Sequence, residues 1–168
     1  MTRFWACLTT LAVISCSAPA PEQNKADTAT APAPGNAAAA ANATAGTAGI
    51  LTAYVGRHPG ESVDGVTFRA HPAVRTAVAA TLTDPALRRF VLDSPATDAP
   101  IVARDGRILA WGCEPHNCGY HNWSISITPD GATADVCFYD DDDSADGPSR
   151  WYLAGGTTEE RPGNCPSE

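Results

Sequence analysis

The stretch Cys113-Glu114-Pro115-His116-Asn117-Cys118, followed by Gly119-Tyr120-His121, constrains this chain more than any other. Two cysteines this close can close a small covalent ring. Inside it, Pro115 fixes its own φ and biases Glu114 towards extended geometry. His116 then stands at the tip of a loop with little conformational freedom left to lose. A pre-ordered loop lowers the entropy cost of binding, so the ring suits the presentation of one imidazole to a partner.

Such a ring requires an oxidising compartment, and the amino terminus supplies a route to one. Arg3 forms a positive n-region and residues 4–14 a short apolar h-region. That h-region is too short to span a bilayer and reads as an export signal. Val13-Ile14-Ser15-Cys16 resembles a bacterial lipobox, with an aliphatic residue ahead of a cysteine. The resemblance implies cleavage before Cys16, so that 1–15 is a lipoprotein signal peptide and Cys16 is lipidated and attached to the membrane. Ser17, in place of an aspartate, implies the outer membrane by the same sorting logic. The competing reading is an ordinary secretory signal cut after Ala18 or Ala20, which leaves a free periplasmic protein.

Residues 16–48 are rich in Ala, Pro, Thr, Asn and Gly and hold no large apolar side chains beyond the lipobox. They cannot form a core and are expected to tether the lipid to a domain. The domain itself is residues 49–168, an ordinary size for one folding unit. The formal charge of the whole chain is −8, which argues against nucleic acid as a partner, since phosphates would repel it. It suits a basic partner, or simply solubility.

Within the domain, Ile50, Leu51, Tyr54 and Val55 are expected to enter the core first, and 56–65 reads as loop. Pro72 opens a helix whose apolar residues Val74, Ala77, Val78 and Leu82 recur at helical spacing. Asp84-Pro85 is an N-cap followed by a first-turn proline, and Leu87, Phe90 and Val91 line one face until Pro95. The pattern then changes to strands. Residues 101–104 and 107–111 flank Asp105-Gly106, a strong type I′ hairpin signal. Trp123, Ile125 and Ile127 alternate with polar residues, and Ala134, Val136 and Phe138 alternate again after Pro129-Asp130-Gly131. Trp151-Tyr152-Leu153 forms the last expected strand. The predicted fold class is therefore α+β, an antiparallel β-sheet with helices packed on one face, and the disulfide-closed loop protrudes between two central strands.

With Cys7 removed and Cys16 lipidated, Cys113, Cys118, Cys137 and Cys165 remain, and four cysteines allow three pairings. The favoured one is Cys113–Cys118 with Cys137–Cys165: the first closes the ring, and the second ties the C-terminal tail to a strand.

At the ring the sequence resembles the inhibitor of vertebrate lysozyme (Ivy) family of bacterial envelope proteins, whose signature is a disulfide-closed loop of the form Cys-Lys-Pro-His-Asp-Cys-Gly. Cys113, Pro115, His116, Cys118 and Gly119 match it, while Glu114 replaces the usual Lys and Asn117 the usual Asp. The resemblance implies an inhibitor of c-type lysozyme that inserts the loop histidine into the catalytic cleft, with no cofactor, no metal and no catalysis of its own. It admits a homodimer as well as a monomer. Retaining glycosidases of this kind hold two carboxyl groups about 5–5.5 Å apart, one of them protonated; c-type lysozyme is the standard example. An imidazole can meet one carboxyl group with each nitrogen, and it can do so neutral or cationic. On this reading His116 is a plug, Glu114 and Asn117 frame the approach, and Glu114 reaches an arginine on the enzyme's basic rim. The acidic run Asp140 to Asp143 helps steering.

Readings from other classes compete. His116 can be a plain surface histidine on a stapled hairpin, and the Asp run a solvated loop. Trp111, Trp123, Trp151 and Tyr152 read as core, though an exposed Trp123 would favour glycan binding. His121 reads as a capping or packing residue. Cys113, His116, Cys118 and His121 also offer metal donors at short spacing, but oxidation and the Cys-x4-Cys spacing weigh against zinc. A hydrolase with His116 as base lacks any Gly-x-Ser-x-Gly, His-Glu-x-x-His or free cysteine nucleophile. A structural or peptidoglycan-binding envelope lipoprotein would keep the anchor and tether without needing the rigid loop.

Overall fold

The computed structural model describes residues 49–141 and 147–168. The expected export signal, Cys16, the expected tether up to residue 48, and Asp142 and Asp143 of the acidic run lie outside the described residues. The domain is α+β, two helices on an antiparallel sheet. Its elements are β1 (Ser62–Val63), β2 (Val66–Thr67), α1 (Pro72–Thr81), α2 (Pro85–Asp93), β3 (Thr97–Asp98), β4 (Val102–Arg104), β5 (Arg107–Cys113), β6 (His121–Ile127), β7 (Ala134–Asp140), β8 (Pro148–Tyr152) and β9 (Thr158–Pro162).

Both helices start where sequence chemistry places them. The His71 side chain accepts a hydrogen bond from the Ala73 amide ahead of Pro72. Asp84 Oδ1 accepts from the Ala86 amide at 2.8 Å ahead of Pro85. These caps satisfy first-turn donors that the helix itself leaves unpaired, and proline at the first position has none to lose. Val74, Ala77 and Val78 of α1 and Leu87, Val91 and Leu92 of α2 turn inward. Thr81 Oγ1 donates to the carbonyls of Ala77 and Ala134, tying the end of α1 to β7.

The sheet runs β3-β5-β6-β7-β8-β9, with β4 on β5 beside β3. The β4–β5 turn uses Asp105 at φ 51° and Gly106 at φ 75°, the two positive values a type I′ turn needs. The inner face carries Ile108, Ala110, Trp123, Ile125, Ile127, Ala134 and Val136 against the helices. Gly112 lies opposite Trp123, where a Cβ would approach the indole Cζ2 to 2.5 Å. Glycine there is what lets the largest core side chain lie flat on β5.

Three features differ from the sequence reading. Residues 62–65, expected as loop, belong to the small β1–β2 hairpin, turned by Asp64 and Gly65 at φ 50° and 82°. Strand β9 follows Gly155-Gly156 and pairs along all of β8. Val55 is exposed, not core. The sheet's second face is also covered in part: Cys137, Tyr139, Trp151 and Cys165 form a second buried cluster, packed with Trp111 and Leu153. The cause is the C-terminal tail, which crosses this face and is held by the Cys137–Cys165 disulfide. Ser124, on the same strand as the inward-facing Trp123, is fully buried for this reason.

Candidate functional site

The β5–β6 ladder ends in the ring. Cys113 pairs with Asn122, and the Glu114 amide donates to the His121 carbonyl at 3.0 Å, so the strands remain together as they enter the loop. The Cys113–Cys118 disulfide then closes the loop, with Cα atoms 4.9 Å apart. Within it, the Asn117 amide donates to the Glu114 carbonyl at 3.0 Å, which makes 114–117 a β-turn with Pro115 and His116 at its centre. His116 has φ 66°. That left-handed conformation costs a residue with a Cβ about 1 kcal/mol or more, and such residues concentrate at functional sites. The imidazole is exposed at the tip.

Glu114 and Asn117 are hydrogen-bonded to each other within the ring. Glu114 Oε2 accepts from Asn117 Nδ2 at 2.8 Å and faces His121 Nδ1 at 3.0 Å. His121 Nε2 lies 2.8 Å from Asp140 Oδ1. Both imidazole nitrogens thus face carboxylates, and both can donate together only as the imidazolium. His121 links the loop to the end of β7, and the Asp141 amide reinforces this with a hydrogen bond to the Tyr120 carbonyl at 3.2 Å. The carbonyl of Asn117 accepts from the amides of both Tyr120 and His121. Glu114 thus holds the loop through Oε2. His121, expected to cap or pack, is the loop's brace.

Sequence reasoning missed two residues here. Asn122, 1% exposed, donates through Nδ2 to the Cys118 carbonyl at 3.0 Å and to Asn164 Oδ1 at 3.1 Å, and its Oδ1 accepts from the Cys165 amide at 3.1 Å. One buried amide thus joins the ring's exit, β6 and the C-terminal tail. Nothing in a lone asparagine signals a partner 42 residues away. Tyr120, two residues past the ring, is one of two large apolar side chains exposed among the described residues, and it flanks the loop. Its place directly after Gly119 was the available signal.

The disulfide takes both sulfur donors out of the metal reading, and among the described residues no group of His, Cys, Asp and Glu is arranged to hold a metal ion. Trp123 is 1% exposed, so the glycan signal it could have given does not arise. No family model, curated protein or solved structure matches this chain.

Proposed function

We propose that the protein is an envelope inhibitor of c-type lysozyme, and that His116 is the group it inserts between the enzyme's two catalytic carboxyl groups. The observation that carries this reading is the exposed His116 on a left-handed turn inside a disulfide ring. A loop held this firmly loses little freedom on binding. An imidazole matches a pair of carboxyl groups of which one is protonated. The Lys and Asp of the Ivy motif are a pair of opposite charge; Glu114 and Asn117 replace it with a direct hydrogen bond, and the His121 ring braces Glu114 from the other side. The carboxylates of Glu114 and Asp140, with Asp141 beside Tyr120, give this end of the domain a negative field suited to a basic enzyme. On this reading the protein has no catalysis of its own, is attached through lipid on Cys16 to the periplasmic face of the outer membrane, and acts as a monomer or a homodimer.

The test is a titration of the disulfide-formed protein against c-type lysozyme acting on bacterial cell walls, beside a His116→Ala copy. Stoichiometric inhibition that the alanine copy loses supports the plug. Inhibition by neither transfers the assignment to a structural or wall-binding lipoprotein.

A further inference from the structure

The outer face of the sheet carries a second feature, away from the ring. A cleft of about 430 Å³ opens beside the C-terminal tail, a volume in the range of small-molecule sites. Its apolar surface comes from the buried Leu109 and Trp151, with Pro162 and Pro166 of β9 and the tail. Its polar surface comes from Arg104, Arg107, Arg161, Asp105 and Asp135.

These charges are held in place by protein contacts. Arg107 donates from Nε to Ser126 Oγ at 2.8 Å and from Nη2 to the carbonyls of Ser126 at 2.5 Å and Thr133 at 3.3 Å, with Nη2 3.4 Å from Asp135 Oδ2. The Arg161 guanidinium lies 4.0 Å from the centre of the Trp151 ring and donates from Nε to Glu159 Oε1 at 2.6 Å. Arg104 Nε is 3.5 Å from Asp105 Oδ2, and its Nη1 donates to the backbone oxygen of Glu168, a contact a ligand carboxylate would share or displace. Each cation is oriented by a carboxylate yet has more N–H groups than those contacts use. The floor is stiffened by Cys137–Cys165, which holds the tail against the sheet.

The arrangement selects among ligand chemistries. A polyanion would meet Asp105 and Asp135 as well as the arginines. A neutral glycan would need an open aromatic face to stack on, and Arg161 already covers a face of Trp151. Guanidinium and carboxylate groups side by side, over a small apolar floor, match a molecule bearing both charges. The lining residues hold three arginines against two aspartates, so the ligand's carboxylate is the better-served end.

We propose that this cleft binds short peptides with free termini, the carboxylate on Arg104 and Arg161 and the ammonium on Asp135. The reading is independent of lysozyme inhibition. It is tested by calorimetric titration of the full-length protein with trialanine, its N-acetyl form, its C-terminal amide, and a neutral chitin trisaccharide.

Free trialanine is expected to bind, the amide about tenfold more weakly, and the N-acetyl form more weakly than the free peptide, as expected for loss of one charge-assisted contact each. Asp135→Asn keeps an acceptor for the Ala154 amide, which Asp135 Oδ1 now serves, and should equalise the free and N-acetyl peptides. Arg161→Gln should weaken the free peptide by about tenfold while leaving the thermal melt in place. No heat with trialanine up to about 10 mM, a limit set by the weakest affinity of interest, overturns the proposal. So do equal binding of all three peptides, preference for the trisaccharide, or a Asp135→Asn protein that still distinguishes the free from the acetylated peptide.

Discussion

At the scale of single residues, His116 separates backbone strain from binding. Its φ of 66° belongs to glycine's range, so the residue is held there by the ring and the turn. Replacing it by glycine removes the Cβ strain but gives the unfolded chain more freedom. These effects oppose one another, and the net change in stability is expected to stay within about 1 kcal/mol. Inhibition should nevertheless vanish with the imidazole. Thermal melts run beside the inhibition titration read both quantities, and a His116→Gly protein that still inhibits removes the plug from the mechanism. His121 makes a different prediction, because it touches the loop and not its target. With both nitrogens on carboxylates, His121→Gln should leave the loop closed by its disulfide but less well ordered. Binding is then expected to weaken by about tenfold, through the entropy of re-ordering the loop. In a double-mutant cycle with Glu114→Gln, the two changes should couple by about 0.5–1 kcal/mol. Additive effects would mean that the 3.0 Å contact contributes nothing to holding the loop.

At the scale of elements, β5 and β6 meet through a glycine whose role is steric. A Cβ at residue 112 would come within 2.5 Å of Trp123, which is fully buried and has nowhere to move. Gly112→Ala is expected to destabilise the domain by about 1–3 kcal/mol, measured by denaturant unfolding, as for other overpacked cores. The two helices are tied by Arg75 Nη1 and Asp93 Oδ1 at 2.7 Å. The hydrogen bond from Arg75 holds the Asp93 carboxyl below its ordinary value, against a smaller opposing effect of burial. A depressed carboxyl contributes stability above its unfolded value, near 3.9, and loses it as pH falls through the native value. Both side chains are nearly half exposed, so Asp93→Asn should cost well under about 1 kcal/mol at neutral pH. Melts of the two proteins should converge in acid. The elements that were legible in the sequence carried local chemistry: Pro72 and Pro85 at their helix starts, and Asp105-Gly106 between two apolar runs. Asp64-Gly65 gives the same turn signal, but its strands are two residues each, too short for alternation to register. Strand β9 is exposed along its length and shows no apolar period. The ring was legible because its cysteines are close in sequence. Its bracing was not, because His121 and Asn122 find their partners on β7 and the tail, and single polar residues carry no periodicity.

At the scale of the whole domain, the proposed function gives the two disulfides different parts. Cys137–Cys165 spans 28 residues and fastens the tail over the sheet, whereas Cys113–Cys118 spans 5 and closes the loop. Loop-closure entropy grows with the span, so losing the long one is expected to destabilise by about 3–4 kcal/mol and the short one by about 2 kcal/mol. Their effects on inhibition should run in the opposite order. Serine at both 113 and 118 frees the loop that orients His116, and inhibition should fall far more than stability does. Serine at both 137 and 165 should lower the melting temperature more, yet leave inhibition intact below the melt. The qualification is built into the structure: Asn122 bonds the Cys118 carbonyl on one side and the Cys165 amide on the other, so the tail is not fully independent of the ring. Asn122→Ala leaves both of those backbone groups without the amide that serves them, at a cost of about 1–3 kcal/mol. If the tail supports the loop through this residue, Asn122→Ala should weaken inhibition as well as stability, and removing Cys137–Cys165 in that background should weaken inhibition no further. If inhibition is instead insensitive to Asn122→Ala, the ring, its turn and His121 suffice to hold His116, and the C-terminal tail serves stability and the cleft on the outer face alone.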